Sequence, residues 1–266
     1  MTTNPGSLSL GLTGTLPPDL VAEVAAAAED AGFDAMWVND IPGGDSLAAL
    51  GAVSRRTTRI ALASGVIPLD RKPPATILAA LDEHPVDRDR LILGIGSGAA
   101  ASGQLALVRS AVGDLRAGFD GPIVIGALGP RMRRLGVTAG DGILLNWLTP
   151  AAAKAAAEEA HALSPAARVA LYVRTALDPA ALGRLDAEAS RYGTVPSYRA
   201  NFDRLGFEPR AASLPDPDGS PPDQSVREYR AAVDDVVLRV IVAHDTLDDY
   251  LRFVDQARAL REPPAP

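Results

Sequence analysis

The sequence predicts an α/β protein, a closed (β/α)8 TIM barrel, and three observations carry that prediction. Eight short apolar runs recur, at residues 7–12, 35–38, 59–63, 91–95, 123–125, 142–145, 168–173 and 236–242. Stretches with apolar residues at helical spacing separate them, and such alternation gives a parallel sheet with helical crossovers. Eight units within 266 residues favour a closed barrel, with an open doubly wound sheet as the second choice, because periodicity does not report closure.

The first strand, 7–12, alternates in polarity. Thr15 is placed to cap a helix opened by Pro17 and Pro18, with Leu20, Val21, Val24, Ala28 and Ala31 on one face and Gly32 at its end. Strand 35–38 finishes in Asn39-Asp40, and Ser46 is placed to cap the next helix. Strand 59–63 runs into Ser64-Gly65-Val66-Ile67-Pro68 and is followed by a helix over about 74–84. Strand 91–95 ends in Gly96-Ser97-Gly98, and 103–117 is helical.

The stretch 121–147, GPIVIGALGPRMRRLGVTAGDGILLNW, organises the chain: strand, glycine turn, helix start, strand. Gly126 and Gly129 allow positive φ and close backbone approach to a ligand. Pro130 suits the first helical position, and the free N–H groups there, with Arg131 adjacent, favour a bound phosphate. An ordinary βα turn ahead of a capped helix is the other reading of the same residues. Arg133 and Arg134 are expected to face solvent. An alanine-rich helix over 150–163, strand 168–173 and helices over 178–192 and 196–205 follow. Residues 208–223, rich in Pro, Asp and Ser, read as a long loop or flap. A helix over 226–234, the eighth strand, and a helix capped by Asp245 or Thr246 and reaching Arg261 complete residues 1–262 as one domain; 263–266 is expected to be a disordered tail.

Apolar residues make up 47% of the chain but aromatics only 5%, so the core is built from Ala, Val, Leu and Ile. A net charge of -7 argues against nucleic acid or an anionic membrane as the main partner. The absence of cysteine excludes disulfides and thiolate chemistry. No His or Asp/Glu cluster has metal-ligand spacing, so no metal is proposed, and no GxSxG or Walker-type loop occurs. No basic segment leads into a long apolar run at the start, so a cytoplasmic protein acting on a small molecule is expected.

In a barrel, function sits at the carboxyl ends of the strands. Asp40 there could handle a proton or touch substrate, or cap the following loop; Asn39 could hydrogen-bond a ligand. Ser97 could donate to a ligand or cap a helix. Asn146 and Trp147 could line a pocket, Trp147 equally by packing. His244 is the one histidine placed at a strand end and so a proton-transfer candidate. His84 and His161 fall in helix patterns and read as surface or packing residues.

Four stretches, in this order, resemble the bacterial luciferase-like monooxygenase family of flavin- and deazaflavin-dependent oxidoreductases: GFDAMWVND (32–40), TRIALASGVIPLDRKPPATILAALD (58–82), RLILGIGSG (90–98) and PIVIGALGPRMRRLGVTAGDGILLNWLTP (122–150), with a weaker echo over 192–207. The fourth looks most like the branch that uses coenzyme F-420, an 8-hydroxy-5-deazaflavin. The resemblance implies a luciferase-like barrel, usually a homodimer, holding a flavin-like ring at its carboxyl end. It implies a non-proline cis peptide at Gly65-Val66 against the ring. It implies a phosphate-bearing tail near Gly96, Ser97 and Gly98 and near the turn Gly126, Ala127, Leu128, Gly129, Pro130, Arg131 and Met132. It makes Asp40, Asn39 and His244 the candidates for any proton, with a reductase or dehydrogenase as the activity. FMN with monooxygenase chemistry, and a non-catalytic cofactor-binding protein, are the alternatives. Two departures bear on them. Many relatives carry His where this chain has Ile41, and many have a long insertion between the fourth and fifth strands where only about two dozen residues separate Gly98 from Pro122.

Overall fold

A computed structural model describes residues 5–261. Its first half contains β1 (Ser7–Thr13), α1 (Pro18–Asp30), β2 (Ala35–Asn39), α2 (Ser46–Arg56), β3 (Ala61–Ser64), the two-residue β4 (Ile67–Pro68), α3 (Pro74–Glu83), β5 (Leu91–Gly96) and α4 (Gln104–Leu115). The second half contains β6 (Ile123–Gly126), α5 (Pro130–Thr138), β7 (Gly142–Asn146), α6 (Pro150–Leu163), β8 (Arg168–Thr175), α7 (Leu182–Thr194), α8 (Pro196–Leu205), the two-residue β9 (Ser213–Leu214), α9 (Pro222–Arg230), β10 (Asp235–Val240) and α10 (Leu247–Arg258).

Every strand pairing is parallel, in the order β1-β2-β3-β5-β6-β7-β8-β10. β10 then pairs back onto β1, Ser7 opposite Asp235 and Leu10 opposite Leu238, which closes the ring and excludes the open sheet. Each of the eight apolar runs falls on a stave of this barrel. β4 extends the wall beside β5, and β9 beside β8. Among the described residues, no helix is long and apolar enough to cross a membrane.

Strand side chains alternate between two environments. The outward set, such as Leu8, Leu10, Leu12, Met36, Val38, Leu93 and Ile125, packs with the helices. The inward apolar set is separate: Ala35, Trp37, Ala63, Ile92, Val124, Leu144, Ala170, Tyr172 and Val237. Below it, Asp235 is buried and accepts hydrogen bonds from Ser9 Oγ (2.7 Å) and Trp37 Nε1 (3.0 Å). The closed end of the barrel is therefore filled, and only the carboxyl end is left for a ligand.

Several local expectations change. The residue before α1 is Pro17, which makes no side-chain cap, so Thr15 is not the cap. Asp45, not Ser46, caps α2 by accepting from the Leu47 and Ala48 amides. Thr246, not Asp245, caps α10, because Asp245 is held by Arg184 at 2.9 Å. The helix read over 226–234 is α9, which Pro221 and Pro222 start earlier. The 208–223 segment is no free flap. It forms a 3-10 turn over Pro209–Ala212, pairs with β8 through Ser213 and Leu214, and is tied by Arg210 to Asp186, Ser213 Oγ and the Pro215 carbonyl. Residues 263–266 lie outside the described residues.

Candidate active site

A cavity of about 810 Å³ opens at the carboxyl ends of the staves, within the size range of cofactor sites. Its floor comes from glycines. The Gly65–Val66 peptide is cis, as the resemblance implied, and Val66 lies across the next two staves. A Cβ on Gly96 would sit 2.8 Å from Val66 Cγ2, and one on Gly126 would sit 3.1 Å from Val66 Cγ1. A Cβ on Gly65 would run into Tyr172 Oη and lie 2.9 Å from Trp37 Cε3. Gly126 and Gly129 do not adopt positive φ. Gly126 is needed for the room it gives Val66, whereas Gly129 borders open space.

The turn after β6 forms one rim. Ala127, Leu128, Gly129 and Met132 line the cavity, whereas Pro130 and Arg131 are exposed and do not. The Met132 and Arg133 amides turn back to the Gly129 carbonyl, and no side chain caps α5. Arg133 departs from expectation: it is buried and donates to the Leu128 carbonyl (3.2 Å) and Glu159 (2.7 Å), so it pins the turn. Arg134 is exposed. Gly96, Ser97 and Gly98 also line the cavity, but the amide of Ala99 already donates to Asp70 at 2.9 Å. An anion is therefore better served at the α5 end, where no carboxylate competes.

The structure keeps two of the three candidate proton carriers, Asp40 and Asn39, at the cavity. Asp40 lines the cavity, but its carboxylate is buried and committed. It accepts from Ser46 N (3.2 Å), Ser46 Oγ (3.1 Å), Lys72 Nζ (2.9 Å) and Arg71 Nη2 (3.3 Å). It clasps the β2–α2 turn to the loop before α3 rather than presenting a free base. Asn39 also lines the cavity, and its Oδ1 is buried without a partner. His244 is not at the cavity: its side chain is 80% exposed, with Nδ1 3.3 Å from Asp249. β10 ends at Val240, so His244 lies on an outer loop rather than at a strand end. His161 packs against Ala167 O and Asp234, and His84 follows α3.

The wall opposite the glycine floor was not read from the sequence. Inward positions alternate along β8 as Ala170, Tyr172, Arg174 and along β10 as Asp235, Val237, Arg239, so an arginine reaches the mouth on each. A charged residue breaking an apolar strand near its carboxyl end is the signal that marks both. Arg174 is buried, donates from Nε to Glu188 Oε1 at 3.0 Å, and also donates to Asn146 Oδ1. Its guanidinium lies 4.5 Å from the Trp147 ring and 5.0 Å from the Tyr192 ring. Trp147 is fully buried beneath it, packed on Tyr192 and Phe202, and is support rather than lining. Asn146 lines the cavity and donates to Tyr198 Oη at 3.2 Å.

Burial works to raise Glu188, but Arg174 and Arg239 outweigh it and hold the carboxyl below its ordinary value. Burial, with Tyr192 adding to it, pushes the Tyr198 phenol up to about 12, and burial also pushes Tyr172 up. Both phenols stay protonated at neutral pH and act as hydrogen-bonding groups. The glycine floor, the unpartnered Asn39 Oδ1 and Tyr172 Oη, and the uncapped α5 start together fit a flat heterocycle with an anionic tail.

Residues 2–106 match the family model of luciferase-like monooxygenases. A Mycobacterium tuberculosis protein named as a coenzyme F-420-dependent oxidoreductase is 41% identical over 90 residues, 34% of this chain and 26% of that protein. The chain spans about a quarter to a half of the length of the curated relatives it matches. The coenzyme F-420-dependent tetrahydromethanopterin reductase of Methanopyrus kandleri superposes with a TM-score of 0.70 at 17% identity, over 96% of this chain and 97% of that one. The oxygenating constituent of a diketocamphane monooxygenase of Pseudomonas putida, solved with FMN, superposes with a TM-score of 0.62 at 16% identity, over 95% and 96%. The superpositions show the same barrel.

Proposed function

We propose that this chain, a luciferase-like barrel protein, is an oxidoreductase that moves a hydride between coenzyme F-420 and a small organic substrate. The observation that carries the reading is the glycine-floored cavity under Val66, open beside the uncapped start of α5. The names of the Mycobacterium and Methanopyrus proteins support the deazaflavin.

When bound, the coenzyme supplies the hydride chemistry. The chain supplies position and environment. Gly65, Gly96 and Gly126 let Val66 stand as an apolar platform at the floor. Asn39 Oδ1 would accept a ring N–H. The Arg131 amide, left over when those of Met132 and Arg133 turn back to Gly129, would face the tail. Tyr198, kept neutral and oriented by Asn146, has its own O–H free to donate toward a substrate oxygen. Tyr192 and Tyr198, with ring centroids 4.7 Å apart, form an aromatic edge that keeps water from that side of the cavity.

Titrating F-420 and FMN in parallel tests the reading. Tighter binding of F-420, followed by substrate-dependent absorbance change at its deazaflavin band, is expected; absence of F-420 affinity would sink it. The FMN-bound Pseudomonas neighbour favours one second reading, FMN-dependent oxygen chemistry. That reading requires FMN to bind and reduced flavin to drive oxygen consumption.

A further inference from the structure

We propose that the β8–β10 side of the cavity is an anion-binding subsite centred on Arg239, so that the substrate carries a carboxylate or a phosphate. The proposal rests on the reading of the cavity as a site for a redox coenzyme and its substrate.

Arg239 lines the cavity. Its Nη1 donates to the Val240 carbonyl at 2.7 Å, while its Nε is buried without a partner. Among the described residues, no Asp or Glu pairs with it, because the nearby acids are taken. Glu188 is held by Arg174 at 3.0 Å; Asp245 is held by Arg184 at 2.9 Å and by the Tyr250 hydroxyl at 2.9 Å. Three arginines thus share two carboxylates, and the exposed Arg191 on α7 adds positive charge near Glu188. This local excess stands out in a chain whose net charge is -7.

A half-buried guanidinium without a counter-ion is an unfavourable arrangement for the empty protein. It becomes favourable when an anion enters, because the planar fork offers parallel donors to two oxygens of a carboxylate or phosphate. The Tyr172 hydroxyl, against Gly65 at the floor, belongs to the coenzyme side and not to this subsite. This subsite lies three staves round the ring from the α5 rim, so one anion at each place can be held at once.

The test is calorimetric titration of inorganic phosphate and of malonate into the protein, with and without saturating F-420. Wild type is compared with Arg239→Gln, Arg239→Lys and Arg109→Gln, the last an exposed arginine on α4; near-ultraviolet circular dichroism checks each fold. We expect wild type to bind one anion with F-420 saturating and a second, at the α5 rim, without it; only the first should depend on Arg239. Arg239→Gln should weaken the first at least about tenfold, Arg239→Lys should weaken it less, and Arg109→Gln should leave it unchanged. F-420 affinity should stay the same in all four. The stronger of the two anions identifies the substrate's group. Wild-type anion binding by Arg239→Gln, or no anion binding in either state, overturns the proposal. So does loss of F-420 affinity in Arg239→Gln, which would assign the residue to the coenzyme. If wild type binds no F-420, the coenzyme reading fails by itself, and titrations without coenzyme still decide the role of Arg239.

Discussion

Replacing Arg174 by Met, Glu188 by Leu, and both together measures what holds the polar wall of the cavity. The pair is well shielded: the Arg174 side chain is 4% exposed and that of Glu188 16%, at 3.0 Å. Breaking a buried pair from one side leaves an uncompensated charge and costs about 3–5 kcal/mol. Arg174→Met also gives up stacking on Trp147 and Tyr192, about 1–2 kcal/mol where water is excluded. Arg239 remains to offset part of the stranded Glu188 charge, so a total of about 4 kcal/mol is expected. The double variant strands no charge and should cost less than Arg174→Met alone, a coupling of about 2 kcal/mol or more. Urea unfolding of all four proteins reads it. Because the folded Glu188 carboxyl lies below its ordinary 4.5, its contribution is complete above that pH and is lost as pH falls through the lowered folded value. The coupling should therefore be the same at pH 7 and about pH 6 and shrink only in stronger acid. Strictly additive costs, or a coupling that fades between those two pH values, would refute the argument.

Asp235 gives the opposite sign. Burial raises its carboxyl above 3.8, so it favours folding most below that pH and loses this contribution as pH rises through the folded value. Asp235→Asn, able to accept from Trp37 and donate to Ser9, should match or exceed wild-type stability at pH 7 and lose that advantage in acid; thermal melts across pH decide, and a clear loss at pH 7 counts against it. Gly94 and Gly129 form a steric contrast. A Cβ on Gly94 would overlap the Ser64 carbonyl, backbone that cannot swing away, whereas one on Gly129 meets nothing within 4 Å. Gly94→Ala should cost about 1–3 kcal/mol or more and Gly129→Ala within about 0.5 kcal/mol, and equal unfolding midpoints would contradict this.

What the sequence could show follows the range of the physics involved. The staves were legible because a barrel strand is buried on both faces, which leaves continuous runs such as 91–95 and 236–240. Gly65, Gly96, Gly126 and Asn39 were legible because they sit where those runs stop. The α2 cap was misplaced by one residue because Asp45 and Ser46 are equally suited to the task. The choice is made by Asp45, whose φ of -136° leaves the helix. For Asp40 the reading as a cap on the following loop is the one its bonds from Ser46 carry, whereas Arg71 and Lys72, which also occupy it, are 31 and 32 residues away and leave no local signal. The arginine wall was missed for the same reason: Arg174 becomes tolerable in a strand only through Glu188 and Asn146, one on a helix and one on the neighbouring stave.

The inward side chains also explain why the cavity has two unlike halves. On β5 they run Ile92, Gly94, Gly96 and on β6 Val124, Gly126, ending in nothing at the mouth. On β8 and β10 they end in arginine. A ligand entering therefore meets an apolar, recessed shelf on one side and fixed donors on the other. Changes on the two sides should separate in assay. A Cβ on Gly126 would already press Val66 at 3.1 Å, so Gly126→Val must push Val66 upward or fill the recess itself. Coenzyme affinity should then fall by about tenfold or more, equivalent to about 1.4 kcal/mol, while anion binding at Arg239 in the coenzyme-free protein stays within twofold of wild type. Fluorescence titration of F-420 beside calorimetry of the anion measures both. Parallel loss of the two would mean that the halves are one site, and that the division of labour drawn from the strand ends is wrong.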